Sequence, residues 1–313
     1  MKVLIILFLF FSCSTQKSKN YKAFQAKLVE SEIKRVNQKK EIIRKPAFFG
    51  VVIKKIDIKD EEDRKAAWLF IPKKYSPNKK WPLVISLHGY FGTPFFHEII
   101  NPFFPHINKK NFLLVFPKGL KDKKKWRYWN ATKACCDFDN RNPNDVKYLR
   151  ELIGEISKSH NIDSKKIFLY GHSNGGFMGY KMACEASDLI SGVVSFGGAS
   201  FLDPRECKNT HPVTILEIHG KNDQTIKYDG AKDWHPSVEE TIMQWTKFNG
   251  CSDKNYSISN IKGARTGKYK MLEQKIWRFC KDGKKVALWT SEKGGHTYLL
   301  GTQMTKKILN FLF

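Results

Sequence analysis

The segment GHSNG places a serine, Ser173, between two glycines in a spacing that suits a reactive hydroxyl. The residues before it are apolar and indicate a short buried strand, and those after it continue with helical periodicity. A serine at such a sharp turn from strand to helix is exposed. Glycines at 171 and 175 fit because the turn crowds any side chain two residues from the serine. We therefore predict that Ser173 is a nucleophile.

An acid and a histidine follow the serine, each after a strand-like apolar run. Asp223 comes after the run VTILEI, and His296 comes after VALWTS. An aspartate that orients a histidine, which in turn takes the serine proton, forms a Ser-His-Asp triad. The sequence predicts Ser173, Asp223 and His296 as this triad. Asp229 is the alternative acid, although it lies further beyond the strand end.

The segment WPLVISLHGY reads as a fourth strand, and it ends beside a candidate anion site. The backbone N–H of Tyr90 is predicted to form an oxyanion hole with that of Asn174, the residue after the nucleophile. Three other histidines, at 88, 172 and 219, also stand next to strand ends or the serine. We interpret them as histidines that bond nearby backbone groups.

The order of these elements predicts an α/β-hydrolase fold, with a mostly parallel central sheet flanked by helices and no large lid domain. Residues 51–58 and 66–72 indicate a strand hairpin, and 236–249 and 302–312 indicate helices. Asn142 and Pro143 are predicted to begin the helix that precedes the serine strand. The catalytic domain is expected to span residues 48–313.

The chain resembles the poly(3-hydroxybutyrate) depolymerase and feruloyl esterase group of secreted α/β-hydrolases, which is carbohydrate esterase family 1-like. The resemblance rests on WNATKACCDFDNRNPNDVKYLRELI, GHSNGGFMGYKMACE and HGKNDQTIKYDG and covers about residues 65–300. It implies the same triad. The chain departs from the group at Tyr90, where a cysteine is common, and at TYLLG after His296, where a tryptophan and proline are common. Trp129 and Tyr298 are the predicted substrate-binding aromatics near these places.

The first residues, 1–13, have one lysine and an apolar run, which is typical of a signal peptide. They end in Cys13 after a small residue, which indicates a lipid-modified cysteine; a soluble secreted form is the alternative. Residues 14–47 are polar and basic and predict a tether or an amphipathic helix near a membrane surface. The protein is therefore expected to be exported and attached to a membrane.

The other six cysteines suit an exported protein, because six can all pair. The first predicted disulfide is Cys251–Cys280, which closes a lysine-rich excursion. Cys135 and Cys136 are neighbours, so each is predicted to pair with a distant partner, in the set Cys184 and Cys207. Their spacing does not suit zinc.

The formal net charge is +25, from 55 basic and 30 acidic side chains among 313 residues. The lysines are spread along the chain without a nucleic-acid-binding motif, so a solvated basic surface is expected and nucleic acid is not an expected partner. Neither a metal nor an organic cofactor is expected.

These features predict a serine esterase acting on carboxylic esters, either feruloyl or acetyl esters of polysaccharides or hydroxyalkanoate polyesters and oligomers. An acyltransferase or peptidase on the same triad is one alternative. A surface lipoprotein that binds polyester or glycan without catalysis is the other.

Overall fold

A ten-stranded sheet forms the centre of the protein in the computed structural model, which describes residues 50–59, 64–93, 98, 101–208, 211–252, 254–264, 267–296 and 300–313. The strand order is β1-β2-β4-β3-β7-β8-β9-β12-β11-β10. The six inner strands, from β4 to β12, are parallel, and antiparallel pairs extend the sheet at both edges. The strands are β1 Val51–Asp57, β2 Ala66–Pro72, β3 Trp81–Leu87, β4 Leu113–Phe116, β7 Ile162–His172, β8 Gly192–Phe196, β9 Thr214–Gly220, β10 Tyr256–Lys262, β11 Met271–Trp277 and β12 Val286–Ser291.

The inner strands are continuous apolar runs because helices cover both faces of the sheet. One face packs against α2 Asp145–Ser159, α3 Asn174–Glu185 and α4 Val238–Phe248, and the other against α1 Phe104–Lys110 and α5 Gly301–Leu312. A separate two-stranded hairpin, β5 Leu120–Lys121 and β6 Arg127–Tyr128, lies outside the main sheet. The predicted fold class is confirmed, and no lid domain is inserted among the described residues.

Several element boundaries differ from the sequence predictions. The β1–β2 hairpin and α4 are present, and α4 begins with a capping box between Ser237 and Glu240. The start of α2 was predicted two residues too early. Its N-cap is Asn144, whose side chain accepts a hydrogen bond from Lys147 N at 2.9 Å.

The disulfides of the structure agree with one of the three predicted pairings and correct the other two. Cys251 is bonded to Cys280, in agreement with the sequence, and Cys184 is bonded to Cys207. Cys135 is bonded to its neighbour Cys136, so the predicted pairing of these two residues with Cys184 and Cys207 was wrong. The end of α3 lies close to the segment after β8, with 5.0 Å between the Cα atoms of Cys184 and Cys207. This proximity favours the bond between these two residues.

Residues 1–49 lie outside the described part of the chain, and they include the predicted signal peptide, Cys13 and the tether. Among the described helices, none combines the length and apolar character that a membrane crossing requires.

Candidate active site

Ser173 lies between β7 and α3, at the edge of the sheet where the parallel strands end. Its φ of 54° is in the left-handed region, which is costly for a residue with a side chain. The turn is tight because a Cβ on Gly171 would overlap the carbonyl of Gly175, and a Cβ on Gly175 would overlap the carbonyl of Leu87. The glycines on either side of the serine thus permit the turn that exposes its hydroxyl.

His296 connects the serine to an acid. Its Nε2 lies 2.9 Å from Ser173 Oγ, and its Nδ1 lies 2.7 Å from Asp223 Oδ2. The histidine follows β12, and the aspartate follows the adjacent parallel strand β9. With Nδ1–H donating to the carboxylate, Nε2 is left as the acceptor for the serine proton. The three side chains predicted to share one site therefore form a chain of hydrogen bonds, from Ser173 to His296 and from His296 to Asp223.

Asp223 is buried and its carboxylate is held in place by the main chain. Oδ1 accepts hydrogen bonds from the backbone N–H groups of Thr225 and Ile226 at 2.8 and 2.9 Å. Burial alone would raise the pKa of this carboxyl, but hydrogen bonds from His219 and His296 outweigh it and hold the pKa well below its usual range. Asp223 is therefore a carboxylate at every working pH.

The alternative acid, Asp229, does not occupy this position. It is exposed and lines a polar cavity of about 270 Å³, whereas His296 Nδ1 contacts Asp223. The other residues of that cavity are Lys221, Tyr228, Glu239, Glu273 and Lys275.

A buried histidine, His219, lies behind Asp223, and sequence analysis predicted for it only a bond to a nearby backbone group. His219 Nδ1 lies 2.9 Å from Glu217 Oε1, and Nε2 lies 2.9 Å from the carbonyl of Ile226 and 3.3 Å from Asp223 Oδ2. Tyr180 donates its hydroxyl to the other Glu217 oxygen at 2.8 Å. Every neighbour of the ring nitrogens is an acceptor, so the arrangement favours an imidazolium.

The pKa of His219 agrees with this geometry. Burial would lower that pKa, but hydrogen bonds and charge from Asp223 and Glu217 raise it to about 10. The sequence carried a signal for this pair, because Glu217 is the one charged residue within the apolar run VTILEI. A carboxylate in a buried strand needs a partner.

The predicted oxyanion-hole residues lie on two elements that meet at the serine. Asn174 is the first residue of α3, so its backbone N–H is one of those that have no acceptor within the helix. Tyr90 follows Gly89, whose Cβ position would be 3.4 Å from Ser173 Cβ. His88 holds this loop, since Nδ1 donates to Gly89 O at 2.8 Å and Nε2 accepts from Gly119 N at 2.9 Å. Burial lowers the pKa of His88 to about 4, so the ring is neutral.

Trp129 was predicted to bind substrate, and this prediction was wrong. Its side chain is fully buried, and its indole N–H donates to His88 O at 3.0 Å. The Asn174 side chain also binds the Trp129 main chain, accepting from its N–H at 2.7 Å and donating to its carbonyl at 2.9 Å. Trp129 therefore connects the loop after β3 to the first residue of α3 and has no face available for a ligand. Tyr298, the second predicted aromatic, lies outside the described residues.

His172, next to Ser173, supports the main chain of His296. Its Nε2 lies 3.0 Å from His296 O, and burial, with the nearby His296, lowers its pKa to about 3. A neutral ring that donates to this carbonyl fixes the loop after β12 without adding charge to the site.

Comparisons with known proteins agree with this architecture. The chain is 25% identical over 236 residues to feruloyl esterase B of Piromyces equi, an alignment that covers 72% of this chain and 41% of that protein. The chain thus spans less than half the length of this relative. Among solved structures, acetyl xylan esterase from Aspergillus awamori superposes with a TM-score of 0.61 at 14% identity, covering 83% of this chain and 98% of that one.

A second solved structure shows the same fold. It is the feruloyl esterase module from Clostridium thermocellum complexed with sinapinate, with a TM-score of 0.55 at 11% identity, covering 86% of this chain and 89% of the module. The family model described as phospholipase/carboxylesterase matches residues 70–260, which is more than half of the chain. This protein therefore belongs to the phospholipase/carboxylesterase family and has the α/β-hydrolase fold.

Proposed function

We propose that the protein is an exported serine esterase that hydrolyses carboxylic esters through Ser173, His296 and Asp223. The observation that carries this proposal is the series of hydrogen bonds from Ser173 Oγ to His296 Nε2 and from His296 Nδ1 to Asp223, at 2.9 and 2.7 Å. A serine hydroxyl is a weak nucleophile until a base removes its proton. Here the base, its orienting acid and the strained serine turn occur at one edge of the sheet.

In the proposed reaction, Ser173 Oγ attacks the ester carbonyl carbon while its proton moves to His296 Nε2. The carbonyl oxygen becomes an oxyanion, which the N–H groups of Tyr90 and Asn174 would stabilise. The C–O bond to the alcohol then breaks, and the alcohol leaves with the proton from His296. Water, deprotonated by the same ring, attacks the acyl-enzyme and releases the acid. Asp223 holds the ring in the required tautomer throughout.

The proposed substrates are feruloyl or acetyl esters attached to polysaccharides. The named relatives support this choice, since they are called feruloyl and acetyl xylan esterases. Hydroxyalkanoate oligomers are the alternative acyl compounds. The open sheet edge, without an inserted lid among the described residues, is compatible with a large alcohol group.

We also propose export and attachment to a membrane through Cys13. The support is the apolar run that precedes this cysteine and the six cysteines that form three disulfides. Stable attachment needs more than one lipid chain, so Cys13→Ser should move the protein from the membrane to the soluble fraction. A wild-type protein that high salt removes from the membrane would contradict lipid anchoring.

The esterase proposal is tested with a panel of substrates and a Ser173→Ala control. The panel contains p-nitrophenyl acetate, methyl ferulate, acetylated xylan, hydroxybutyrate oligomers and a p-nitroanilide, each assayed with and without an added alcohol acceptor. We expect ester hydrolysis that Ser173→Ala abolishes, with water preferred over alcohol and esters over amides. Preference for the anilide or for acyl transfer would replace the esterase with a peptidase or acyltransferase. If no substrate were turned over, the alternative of a non-catalytic surface lipoprotein would replace the esterase proposal.

A further inference from the structure

We propose that Asp122 is a positioning residue of the esterase, because it fixes the loop that carries the Tyr90 N–H. This loop, the β3 loop, comprises residues 88–92, which follow β3. Asp122 would not touch the reacting atoms and would act through the Tyr90 side chain. The inference rests on the proposed function and deepens it, since it names the contact that aims one of the two oxyanion-hole donors.

The backbone of the β3 loop needs support from outside the loop. Gly92 N donates to Gly89 O at 3.0 Å and closes a tight turn, in which Tyr90 and Phe91 are the central residues. The φ of Phe91 is 53°, in the left-handed region that is unfavourable for a residue with a large side chain. Phe91 is also exposed, so burial of its ring does not hold this conformation. We therefore expect contacts with neighbouring segments to fix the turn.

The Tyr90 hydroxyl makes such a contact. It donates to Asp122 Oδ2 at 2.6 Å, and hydrogen bonds to carboxylates are among the stronger ones in proteins. Burial, together with this hydrogen bond, raises the pKa of Tyr90 above its ordinary value, so the hydroxyl remains a donor at every working pH. The Tyr90 ring also packs edge-on against Trp126 and Phe138, with centroids 5.7 and 5.4 Å apart. The side chain of the donor residue is thus fixed at its ring and at its hydroxyl.

Asp122 can serve as an anchor because the β5–β6 hairpin holds it. The residue is buried, and its Oδ1 accepts a hydrogen bond from Trp126 N at 2.8 Å. Its own N–H donates to Trp126 O at 2.8 Å, and its carbonyl accepts from Lys125 N at 2.9 Å. These three bonds close the turn of the hairpin around the carboxylate, so the acceptor of the Tyr90 hydroxyl has a defined position.

Two further bonds attach the β3 loop to the same part of the chain. Phe91 N donates to Arg127 O at 2.9 Å, and Gly119 N, just before β5, donates to His88 Nε2 at 2.9 Å. Both of these bonds involve a backbone group. The bond of the Tyr90 hydroxyl joins two side chains, so a substitution can remove it without changing the main chain.

The position of the Tyr90 N–H matters for the rate more than for substrate binding. Loss of one oxyanion-hole donor costs about 10²–10³ in kcat, and a displacement of about 1 Å can cost about 10². The donor acts on the charge that develops in the transition state, so the bound ester depends on it much less. Loss of the Asp122 anchor should therefore lower kcat and leave KM nearly unchanged.

The test begins with Tyr90→Phe in the full chain, which keeps the ring and the backbone N–H and removes the hydroxyl. We expect kcat to fall about 10- to 100-fold on both p-nitrophenyl acetate and methyl ferulate, with KM within about twofold. Inhibition by phenylboronic acid, which forms a tetrahedral adduct with a nucleophilic serine, should weaken by the same factor. Asp122→Ala should also lower kcat, and adding Tyr90→Phe to it should cause no further loss.

Tyr75→Phe is the matched control. It also removes a half-buried hydrogen bond, the one that Asn161 N donates to the Tyr75 hydroxyl at 3.0 Å. This bond lies at the amino end of β7, and Ser173 follows the other end of that strand. Tyr75→Phe should leave kcat and phenylboronic acid inhibition within about twofold. Backbone hydrogen exchange in a peptide covering 88–92 should be at least about tenfold faster in Tyr90→Phe and unchanged in Tyr75→Phe.

The results that would overturn the inference are distinct from those that would overturn the esterase proposal. If the wild type hydrolyses p-nitrophenyl acetate and Tyr90→Phe retains the wild-type kcat, Asp122 is not a positioning residue. Equal losses of kcat from Tyr90→Phe and Tyr75→Phe, or unchanged exchange of the β3 loop in Tyr90→Phe, would lead to the same conclusion. A wild type that hydrolyses no ester would instead overturn the proposed function itself.

Discussion

His219 and Asp223 lie together in the interior, with His219 Nε2 3.3 Å from the same carboxylate oxygen that His296 contacts at 2.7 Å. Both histidines therefore contact the same carboxylate, and of the two only His296 is within hydrogen-bond distance of Ser173 Oγ. His219 is fully buried and also contacts Glu217. We infer that it is a positioning residue, which keeps the acid of the triad charged and fixed without touching the reacting atoms.

Stability should depend on the charge of His219. Because its folded pKa is raised to about 10, above the ordinary value of 6.5, its stabilising contribution is complete below about pH 6.5 and is lost as the pH rises through about 10. His219→Gln should lower the free energy of unfolding at pH 6 by about 3–5 kcal/mol, because it leaves the buried carboxylate of Glu217 without a positively charged partner. Urea unfolding at pH 6, 8 and 10 should also show a flatter pH dependence in the variant.

His172→Gln is the control for this measurement. The pKa of His172 is lowered to about 3, so the ring is neutral from pH 6.5 to 10 and its loss should leave the pH dependence in that window unchanged. Parallel pH profiles for the wild type and His219→Gln would show that His219 is not charged in the folded protein.

The two candidate acids should respond differently to the same substitution. Asp223→Asn keeps the shape of the side chain but favours the wrong tautomer of His296, so kcat should fall by about 10⁴. Asp229→Asn should leave kcat within about twofold, because Asp229 is exposed and lines a different cavity. Steady-state rates on p-nitrophenyl acetate test both variants. A large loss of kcat from Asp229→Asn would show that Asp229, and not Asp223, is the acid of the triad.

Trp129→Phe should act through stability rather than substrate choice. Phenylalanine keeps a ring in the buried site but removes the hydrogen bond to His88 O, which is 3.0 Å long in the wild type. Leaving a buried carbonyl without this donor should cost about 1–3 kcal/mol in the free energy of unfolding. Values of kcat/KM for methyl ferulate and p-nitrophenyl acetate should change by the same factor. A selective loss on methyl ferulate would restore the original prediction that Trp129 binds substrate.

The Cys251–Cys280 disulfide should stabilise the edge of the sheet. It closes a loop with a sequence separation of 29 that contains the whole β10–β11 hairpin. Chain-entropy arguments for a loop of this size give about 3–4 kcal/mol. Replacing both cysteines with alanine should lower the free energy of unfolding by that amount while leaving the rate on p-nitrophenyl acetate unchanged. An unchanged unfolding midpoint would mean that the unfolded chain is not restricted by this bond.

The arrangement of the strands was predictable because buried parallel strands are apolar runs of a recognisable length. The same rule indicated that Ser173, Asp223 and His296 lie close together. Each follows an apolar run, and the carboxyl ends of parallel strands lie at the same edge of a sheet. The bond between Cys184 and Cys207 was not predictable, because it depends on the distance between α3 and the segment after β8. The burial of Trp129 was missed for a similar reason: its contacts with His88 and Asn174 join segments more than 40 residues apart.

The most direct test of the proposed function is covalent labelling of the full chain with a fluorophosphonate, followed by peptide mass spectrometry. Such a probe reacts with a serine whose proton is removed by a neighbouring base. We predict a single modified peptide containing Ser173, complete within minutes, with labelling absent in Ser173→Ala and slowed strongly in a variant with His296 replaced by alanine. A wild-type protein that stays unlabelled at Ser173, or that labels equally fast without His296, would contradict the account.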